Sequence, residues 1–548
     1  MRPRRRTLTF LALLSSLAIV AAACGGGGSS SSGGGSGGGS AEGKPTPGGT
    51  LTYGLEGKTT DFCIPSAQLA ISGIMVVTAV YDTLTAPTQD PNVYAPYLAK
   101  SVTHNADYTQ WTIGLRSGIK FQDGEALNAA AVKQNIDAWR KGTLLQFVYS
   151  NVADVTTPDD MTVVVAMKTP WVAFPAYLWT SGRTGIAAPA QLNGSSNECS
   201  THMIGTGPFT VTNFNPSTGD VTTKKNPAYW RTGFPYLDGL NFKIQEAGDQ
   251  RVNGLQGGQF DIIHDDNGVN YDTVKGFGSS FSTLLEPPGR RELGHALLNV
   301  TRPPLDDINI RKAIAEGTDR NALNQIANKG NFQLADQVMD SDVMGYLKNP
   351  GFPKFDPTDA KKLVTAYKNS HGGKSPTFAL QSTFDEQTKA LAQETKRQMA
   401  KIGITVTLPA PVDQATIINQ AIGSQVDSFL WRNYLGQDPD GLYVWFYGGS
   451  PVNFNHINDP QINSDLDKGR STPDETARKG FYEDFNRRMS SQAYNLWTWY
   501  ENWYIASKST VKGILGPNLP NPAGQPGSEK PVDVLAGFHQ LLGLWVQK

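Results

Sequence analysis

Two stretches of the chain combine residue types that suit the binding of a small molecule. Residues 429–440 read FLWRNYLGQDPD, an aromatic strand end that runs into a loop with carboxylates. Residues 497–504 read WTWYENWY, and a strand here would place positions 497, 499 and 501 on one face. Aromatic rings supply stacking area, and an arginine supplies a planar fork of donors for a carboxylate. The candidate ligand-binding residues in these stretches are Trp431, Arg432, Asn433, Tyr434, Asp438, Trp499 and Tyr500.

Several of these residues also have a structural interpretation that the sequence leaves open. Arg432 pairs either with a carboxylate of the ligand or with a neighbouring aspartate. Trp431 and Tyr434 either line a site or pack in a core, as most buried aromatic residues do. Asp438 either faces a ligand or shapes the Asp-Pro-Asp-Gly turn that it begins.

Carboxylates in both stretches raise the alternative of a secreted glycoside hydrolase. Such an enzyme uses two carboxyl groups held close together, and Asp438 and Glu501 are the candidates. A metalloprotease is not expected, because the sequence has no H-E-x-x-H and its 7 histidines are scattered. A G-x-S-x-G at residues 34–38 lies in a Gly/Ser tract, without the strand and helix of a nucleophile elbow. We therefore predict no catalytic residue, no cofactor and no metal site.

Length and charge narrow the class of protein further. The chain has 548 residues, too many for one simple core, so two or more lobes are expected. Lysine plus arginine number 48 and aspartate plus glutamate 49. This balance does not favour binding to nucleic acid or to a strongly acidic partner.

The N-terminus has the pattern of a secretory signal over residues 1–23. Four arginines precede an apolar run that is shorter than the ~20 residues of a spanning helix. Cys24 follows three alanines, and this junction resembles a bacterial lipobox, in which the cysteine carries lipid. Residues 24–47 are rich in Gly and Ser, which predicts a flexible tether. The alternative is a plain signal peptide with an incidental cysteine, and the arginine pair at positions 5 and 6 leaves the general and twin-arginine export routes open.

The remaining two cysteines form an even pair. If Cys24 carries lipid, Cys63 and Cys199 are left together in an oxidising compartment, where we expect a disulfide. A metal site built on two such distant cysteines is less favoured, because no histidine cluster completes it.

A third stretch, residues 111–132, indicates the scaffold. Apolar residues alternate along 111–115, as in a half-buried strand. A second alternation over 119–121 predicts another short strand before an Asp-Gly turn. Asn128 stands at the N-cap of a predicted helix over residues 129–140.

Further groups of residues match the motif series of one family. They are Gly-Thr-Gly-Pro-Phe at 205–209 with Tyr-Trp at 229–230, Pro-Pro-Leu-Asp-Asp at 303–307 before a helix, and Phe-Asp-Pro at 355–357. With residues 111–132, they resemble the extracellular solute-binding family typified by the oligopeptide-, dipeptide- and nickel-binding proteins of bacterial ABC importers. The matches run from about residue 48 to about residue 513.

The resemblance implies an α/β fold with two lobes, like that of periplasmic binding proteins. Mixed sheets carry flanking helices, the first lobe has an extra subdomain, and the ligand cleft lies between the lobes. The implied boundaries are 48–86, 206–296 and 505–548 for the core of lobe I, 87–205 for its extra subdomain and 297–504 for lobe II.

The resemblance also implies sites near the cleft. The loop that contains Phe62 approaches the ligand in the family, and Trp179 and Arg183 are possible cleft residues in an aromatic, irregular stretch. In peptide binders an acidic residue soon after the tryptophan meets the amino terminus of the ligand. Tyr434 or Leu435 occupies roughly that place here, so this chain departs from the pattern for a free peptide amine.

The function implied is capture of a peptide or another small solute by hinge closure, followed by docking on an ABC permease. We therefore expect an exported monomer, held by lipid at the outer face of the cell membrane, that is not an enzyme and binds no nucleic acid. The alternatives are the glycoside hydrolase and a sensory or chaperone-like lipoprotein on the same fold.

Overall fold

The structure, a computed structural model, describes residues 43–59, 61–64, 70–91, 93–142 and 145–548. Residues Lys44–Lys548 form one compact unit. The signal at 1–23, Cys24 and the tether up to residue 42 lie outside the described residues. Of the helices in the described ranges, none combines the length and the apolar character that crossing a membrane requires.

The strands of the described residues alternate with helical segments along the chain. They are β1 (Thr50–Leu55), β2 (Thr85–Pro87), β3 (Tyr94–Pro96), β4 (Ala99–His104), β5 (Gln110–Leu115), β6 (Val152–Asp159), β7 (Thr162–Met167), β8 (Phe209–Phe214), β9 (Val221–Lys225), β10 (Gly239–Ile244), β11 (Ile262–Asp265), β12 (Phe281–Leu285), β13 (Leu293–Leu298), β14 (Thr377–Gln381), β15 (Thr405–Thr407), β16 (Ser428–Asn433), β17 (Asn495–Tyr500), β18 (Tyr504–Lys508), β19 (Val511–Lys512) and β20 (Trp545–Val546).

The helices flank these strands. They are α1 (Ile71–Val80), α2 (Ala129–Trp139), α3 (Gln146–Tyr149), α4 (Phe174–Tyr177), α5 (Pro189–Leu192), α6 (Ser196–Thr201), α7 (Gly248–Gln256), α8 (Gly268–Lys275), α9 (Ile308–Gly317), α10 (Arg320–Asn328), α11 (Pro357–Ser370), α12 (Glu386–Ile402), α13 (Gln414–Ile422), α14 (Leu442–Phe446), α15 (Pro460–Ser471) and α16 (Glu475–Ser491), with short 3₁₀ helices at Thr180–Gly182 and Pro439–Gly441.

Two large sheets define the two lobes. Lobe I is built on a seven-stranded mixed sheet of order β12-β18-β11-β1-β10-β9-β8, and lobe II on a five-stranded sheet of order β15-β14-β16-β13-β17. A four-stranded antiparallel sheet, β4-β5-β7-β6, lies in the segment between β1 and β8 and forms the subdomain of lobe I. The chain passes between the two large sheets twice. We call residues 286–292 the first crossing segment and residues 501–503 the second crossing segment.

The scaffold signal at residues 111–132 is largely confirmed. Strand β5 covers the first alternation, and Asn128 caps α2, its side-chain oxygen accepting a hydrogen bond from the N–H of Ala131 at 2.9 Å. The prediction of a second strand over residues 119–121 is wrong. Only a single bridge between Lys120 and Ala126 forms there, because the chain turns back at once through the Asp-Gly pair.

The Gly-Thr-Gly-Pro motif is explained by a close backbone contact. A Cβ atom at Gly205 or Gly207 would lie 2.2 or 2.5 Å from the carbonyl oxygen of Val80, at the end of α1. Gln122 donates to the carbonyls of Val80 and Phe209 at 3.2 and 2.8 Å. Sequence-distant motifs therefore meet at the end of one helix.

The same junction contains a buried carboxyl group. Asp82 accepts hydrogen bonds from Thr206 (3.3 Å), Tyr229 (3.3 Å) and the indole N–H of Trp230 (2.8 Å). Burial raises the pKa of Asp82 to about 6, although these donors act in the opposite direction. The Tyr-Trp motif thus supplies partners for a buried acid.

The two cysteines of the body are joined. Cys63 and Cys199 form a disulfide with their Cα atoms 4.8 Å apart. It connects the loop after β1 to α6, where Asp61 also accepts a hydrogen bond from Ser200 Oγ at 2.7 Å. The loop after β1 is therefore fixed to helix α6.

We predict that Gly207→Ala lowers the free energy of unfolding by about 1–3 kcal/mol, the usual cost of overpacking, because its Cβ would collide with backbone atoms of Val80. Urea denaturation checks this. Gly480→Ala is the matched control, since Gly480 lies in α16 with no atom within 4 Å of an added Cβ, and it is expected to be neutral or stabilising. Equal effects of the two substitutions would contradict the explanation of the motif.

Candidate functional site

The site begins at the carboxyl ends of two central strands of the lobe I sheet. Strands β1 and β11 are parallel neighbours. Glu56 directly after β1 and Asp266 directly after β11 therefore lie at the same end of the sheet. Ligands of open α/β sheets bind at the carboxyl ends of strands. The topology therefore brings two carboxylates to the place where a cleft is expected.

Arg432 of β16 in lobe II reaches this end of the sheet. Its guanidinium pairs with Glu56 at 2.7 Å, with Asp266, and with Glu292 of the first crossing segment at 3.4 Å. Its Cζ lies 4.7 Å from the ring centroid of Trp503 in the second crossing segment. We call Arg432, Glu56, Asp266 and Glu292 the interlobe ion cluster. The sequence left open whether Arg432 pairs with a ligand carboxylate or with a neighbouring aspartate. In the structure it pairs with protein carboxyl groups, including that of Asp266.

The cluster has more acids than bases. The indole N–H of Trp503 donates to Glu292 at 2.8 Å, yet burial raises the pKa of Glu292 to about 8, and Glu501 and Glu56 act in the same direction. Burial also raises the pKa of Glu501, against the opposing charge of Arg432. Protonation of these carboxyls near neutral pH therefore relieves part of the excess negative charge.

A cavity partly open to solvent lies between the subdomain and the segment that follows β16, and its space, counted together with the open solvent at its mouth, is about 660 Å³. We call it the larger cavity. Its aromatic wall combines Tyr94, Tyr177 and Trp179 of the first part of the chain with Tyr434 and Trp445 of the second. The described residues that line it are Tyr94, Leu145, Ala176, Tyr177, Trp179, Thr180, Arg183, Tyr434, Leu435, Gly436, Asp438, Gly441, Val444 and Trp445.

A smaller cavity of about 330 Å³ adjoins the larger one, because Trp179, Arg183 and Tyr434 line both. Its other described lining residues are Ile71, Ile74, Glu292, Leu535, Ala536 and Phe538. The phenolic oxygen of Tyr434 is buried and has no hydrogen-bond partner among the described residues. A buried hydroxyl without a partner is costly, so a polar group of a ligand would satisfy it.

Two ion pairs fix the loop that carries Tyr434. Asp438 caps the turn by accepting from the N–H of Asp440 at 2.8 Å, and its carboxylate receives both guanidinium arms of Arg478 at 2.5 and 3.0 Å. Asp440 is fully buried, paired with Arg470 at 2.9 Å and bonded by the indole of Trp171 in the subdomain at 2.9 Å. Asp438 lines the larger cavity with its carboxylate already engaged, which is the arrangement of a turn-shaping residue.

The remaining sequence candidates contact protein. Phe62 is fully buried with its ring 5.1 Å from that of Phe214. Asn433 lies 2.9 Å from His295 Nε2, and the hydroxyl of Tyr500 donates to the carbonyl of Met339 at 2.6 Å. Trp431 packs on Phe429 and Phe454, and Trp499 is buried in a cluster with Leu323 and Phe332. The cavities thus bring together Trp179, Arg183, Tyr434 and Asp438 and leave these five outside their lining.

Sequence reasoning missed other lining residues. Tyr94 lies in a stretch that resembles the family but is not among the site residues predicted from the sequence, Trp445 carries no motif signal apart from being aromatic, and Glu292 sits in a connecting segment. Leu535, Ala536 and Phe538 lie far along the chain from the other lining residues. Among the residues that the structure describes, no group of three or more His, Cys, Asp or Glu is suited to hold a metal ion.

Comparisons with known proteins agree with this architecture. A model of the family described as bacterial extracellular solute-binding proteins, family 5 (middle part), matches residues 93–454. The glutathione-binding protein GsiB of Pectobacterium atrosepticum is 27% identical over 434 residues, covering 76% of this chain and 82% of that protein. GsiB of Escherichia coli (strain K12) is 30% identical over 326 residues, and the match spans only 60% of that protein and 57% of this chain.

Solved structures show the same fold. The binding protein AgaA from A. tumefacien R10, in complex with agropinic acid, has a TM-score of 0.77 at 26% identity, with 87% of this chain and 97% of that chain covered. The oligopeptide-binding protein AppA from Bacillus subtilis, in complex with a nonapeptide, has a TM-score of 0.78 at 19% identity, with 92% and 100% covered. At this identity the likeness to AppA concerns the fold alone. The predicted two-lobed α/β fold is confirmed.

We predict that Arg432→Met destabilises the protein and separates the lobes, because the carboxylates of Glu56 and Asp266 then repel each other without a counter-charge. The expected loss is about 1–3 kcal/mol, between the values typical of exposed and of buried pairs. Urea denaturation and the radius of gyration from small-angle X-ray scattering check the two effects. The control is Arg487→Met, which removes an exposed pair with Asp484. An unchanged radius of gyration would contradict the bridging role of Arg432.

Proposed function

The chain belongs to family 5 of the bacterial extracellular solute-binding proteins, and from this premise we propose that it captures a peptide or peptide-like small solute in the larger cavity. We further propose that hinge closure traps the solute and that the closed form delivers it to the permease of an ABC importer. The larger cavity is the observation that carries this proposal.

The lining of the larger cavity suits a small organic solute. Binding sites of this kind are concave and mostly apolar, with a few polar groups that fix orientation. Five aromatic side chains provide the apolar surface here, while Arg183 and the unpartnered hydroxyl of Tyr434 provide the polar groups. An arginine in such a wall favours a solute with a carboxylate. Glutathione, agropinic acid and a nonapeptide, named for the similar proteins, all carry carboxyl groups.

The positions of the walls support closure as the mechanism. Trp179 and Tyr94 belong to the first part of the chain and Tyr434 to lobe II, so separation of the lobes would divide the cavity. The interlobe ion cluster bridges the same two parts. A solute that contacts both walls favours the closed state by its differential affinity for it.

Native mass spectrometry of freshly purified protein tests the nature of the solute. The expected result is a retained molecule with the mass of a peptide or a peptide-like acid. Thermal-shift screening then measures binding, since a ligand at about 100 times its dissociation constant adds ~2.7 kcal/mol of stability. Retention of a neutral sugar or a metal chelate would overturn the peptide-like assignment.

Tyr434→Phe separates ligand binding from folding. The substitution removes a buried hydroxyl that has no partner among the described residues, so the ligand-free protein is expected to keep or increase its stability. Solute binding should weaken by about 1–3 kcal/mol, because the polar group that meets the hydroxyl loses its partner. Isothermal titration calorimetry and urea denaturation measure the two effects.

Tyr482→Phe is the matched control. Its hydroxyl is also buried without a partner among the residues that the structure describes, but Tyr482 lies in the core of lobe II and lines neither cavity. It should match Tyr434→Phe in stability and leave solute binding unchanged. Equal affinities of the two variants would count against the larger cavity as the binding site.

We also propose that Cys24 carries lipid and that the following Gly/Ser tether holds the body at the outer face of the cell membrane. Cells fed labelled palmitate should label the wild-type protein and not Cys24→Ser, because the thiol of Cys24 is the attachment atom. Labelling of the Cys24→Ser protein would contradict the anchor and leave the solute-binding proposal intact.

A further inference from the structure

The wall of the smaller cavity is formed by a tight turn late in the chain. Leu535 and Phe538 exchange two backbone hydrogen bonds of 2.9 Å, so that Ala536 and Gly537 form a two-residue loop. Both loop residues have left-handed φ angles, 49° and 77°, as type I′ turns require. The side chains of Leu535 and Phe538 face the cavity as two of its lining residues. We call residues 535–538 the late turn.

Three contacts fix the position of the late turn. The N–H of Ala536 donates to Glu286 at 2.7 Å, and Glu286 is itself buried in the first crossing segment. A Cβ atom at Gly537 would lie 2.6 Å from the ring of Trp503, so the loop rests directly on the second crossing segment. The ring of Phe538 meets that of Trp179 edge-on at 5.9 Å. Because it contacts both crossing segments and a cavity wall, the turn is a pre-organised part of the site.

The chemistry of the smaller cavity differs from that of its neighbour. Four of its lining side chains are aliphatic, those of Ile71, Ile74, Leu535 and Ala536, and the rings of Trp179, Tyr434 and Phe538 complete its apolar surface. Its volume is half that of the larger cavity. The charged and polar lining groups are Arg183, Glu292 and Tyr434, and two of these three lie at the junction with the larger cavity. The polar lining groups thus lie mainly where the two cavities meet, and the rest of the smaller cavity is apolar. This arrangement suits an apolar group that branches from a solute held in the larger cavity.

We propose that the smaller cavity is a subsite for a short aliphatic side chain of the solute, and that Phe538 of the late turn limits the length of that side chain. This inference rests on the proposed function, because it assigns a second arm to the solute that the larger cavity holds. The occupant is an aliphatic group up to about the size of a leucine side chain.

Isothermal titration calorimetry with a series of dipeptides tests the subsite. Each probe joins phenylalanine to glycine, alanine, valine, leucine or a second phenylalanine, in both sequence orders. Each buried carbon contributes ~0.8 kcal/mol, so in at least one order affinity for the wild type should rise about fourfold per added carbon up to leucine. It should fall for the second phenylalanine, whose ring meets Phe538.

Two variants and a control assign the effect to the subsite. Phe538→Ala removes the ring that limits length, so the diphenylalanine probe should gain at least tenfold relative to the leucine probe. Ile71→Phe fills the cavity from α1 and should remove the preference for the leucine probe over the glycine probe. Phe281→Ala is the control, because its ring packs on Phe277 at 5.3 Å in the edge strand β12 and lines neither cavity.

The outcomes separate the two proposals. If the probes bind the wild type with equal affinity, or if Ile71→Phe keeps the leucine preference, the subsite is overturned and the proposed function stands. If no probe binds the wild type, the peptide-like solute class and the subsite fall together. Thermal melting of each variant verifies folding, and a misfolded Phe538→Ala leaves the decision to Ile71→Phe.

Discussion

The structure depends on one positive charge placed among three carboxyl groups. Glu56 and Asp266 come to the same end of the lobe I sheet because β1 and β11 are parallel neighbours, and Glu292 arrives from the first crossing segment. The carboxylates of Glu56 and Asp266 repel each other in this partly buried cleft, since the local dielectric constant is far below that of water, while Glu292, whose pKa burial raises to about 8, is largely protonated at neutral pH. Arg432 of lobe II supplies the counter-charge. The contact that brings lobe II against lobe I is therefore also the contact that neutralises the acidic side chains at the end of the lobe I sheet.

Other charged residues near the cavities also serve structure. Asp438 and Asp440 are held by Arg478 and Arg470, and they set the course of the loop that presents Tyr434. With these charges satisfied inside the protein, the surfaces left for a solute are mainly aromatic and aliphatic. The hydroxyl of Tyr434 lies in the lining of both cavities and has no hydrogen-bond partner among the described residues.

Local signals in the sequence predicted local structure well. Asn128 capped its helix as expected because an N-cap needs only neighbouring backbone atoms, whereas the strand expected over residues 119–121 lacked a partner strand. The role of Arg432 could not be decided from the sequence, because each of its three carboxyl partners lies more than a hundred residues away along the chain. The late turn went unnoticed for a similar reason. An Ala-Gly loop is a weak hairpin signal, and its left-handed alanine is favoured by a buried acceptor, Glu286, that is far away in sequence.

The position of the late turn in the chain has a consequence for the order of assembly. Residues 535–538 are synthesised after every strand of both large sheets. The lobes can therefore form before the smaller cavity has its outer wall. The smaller cavity is complete only when this segment returns to rest on Trp503, so an intact cavity reports that the chain has folded as far as the late turn.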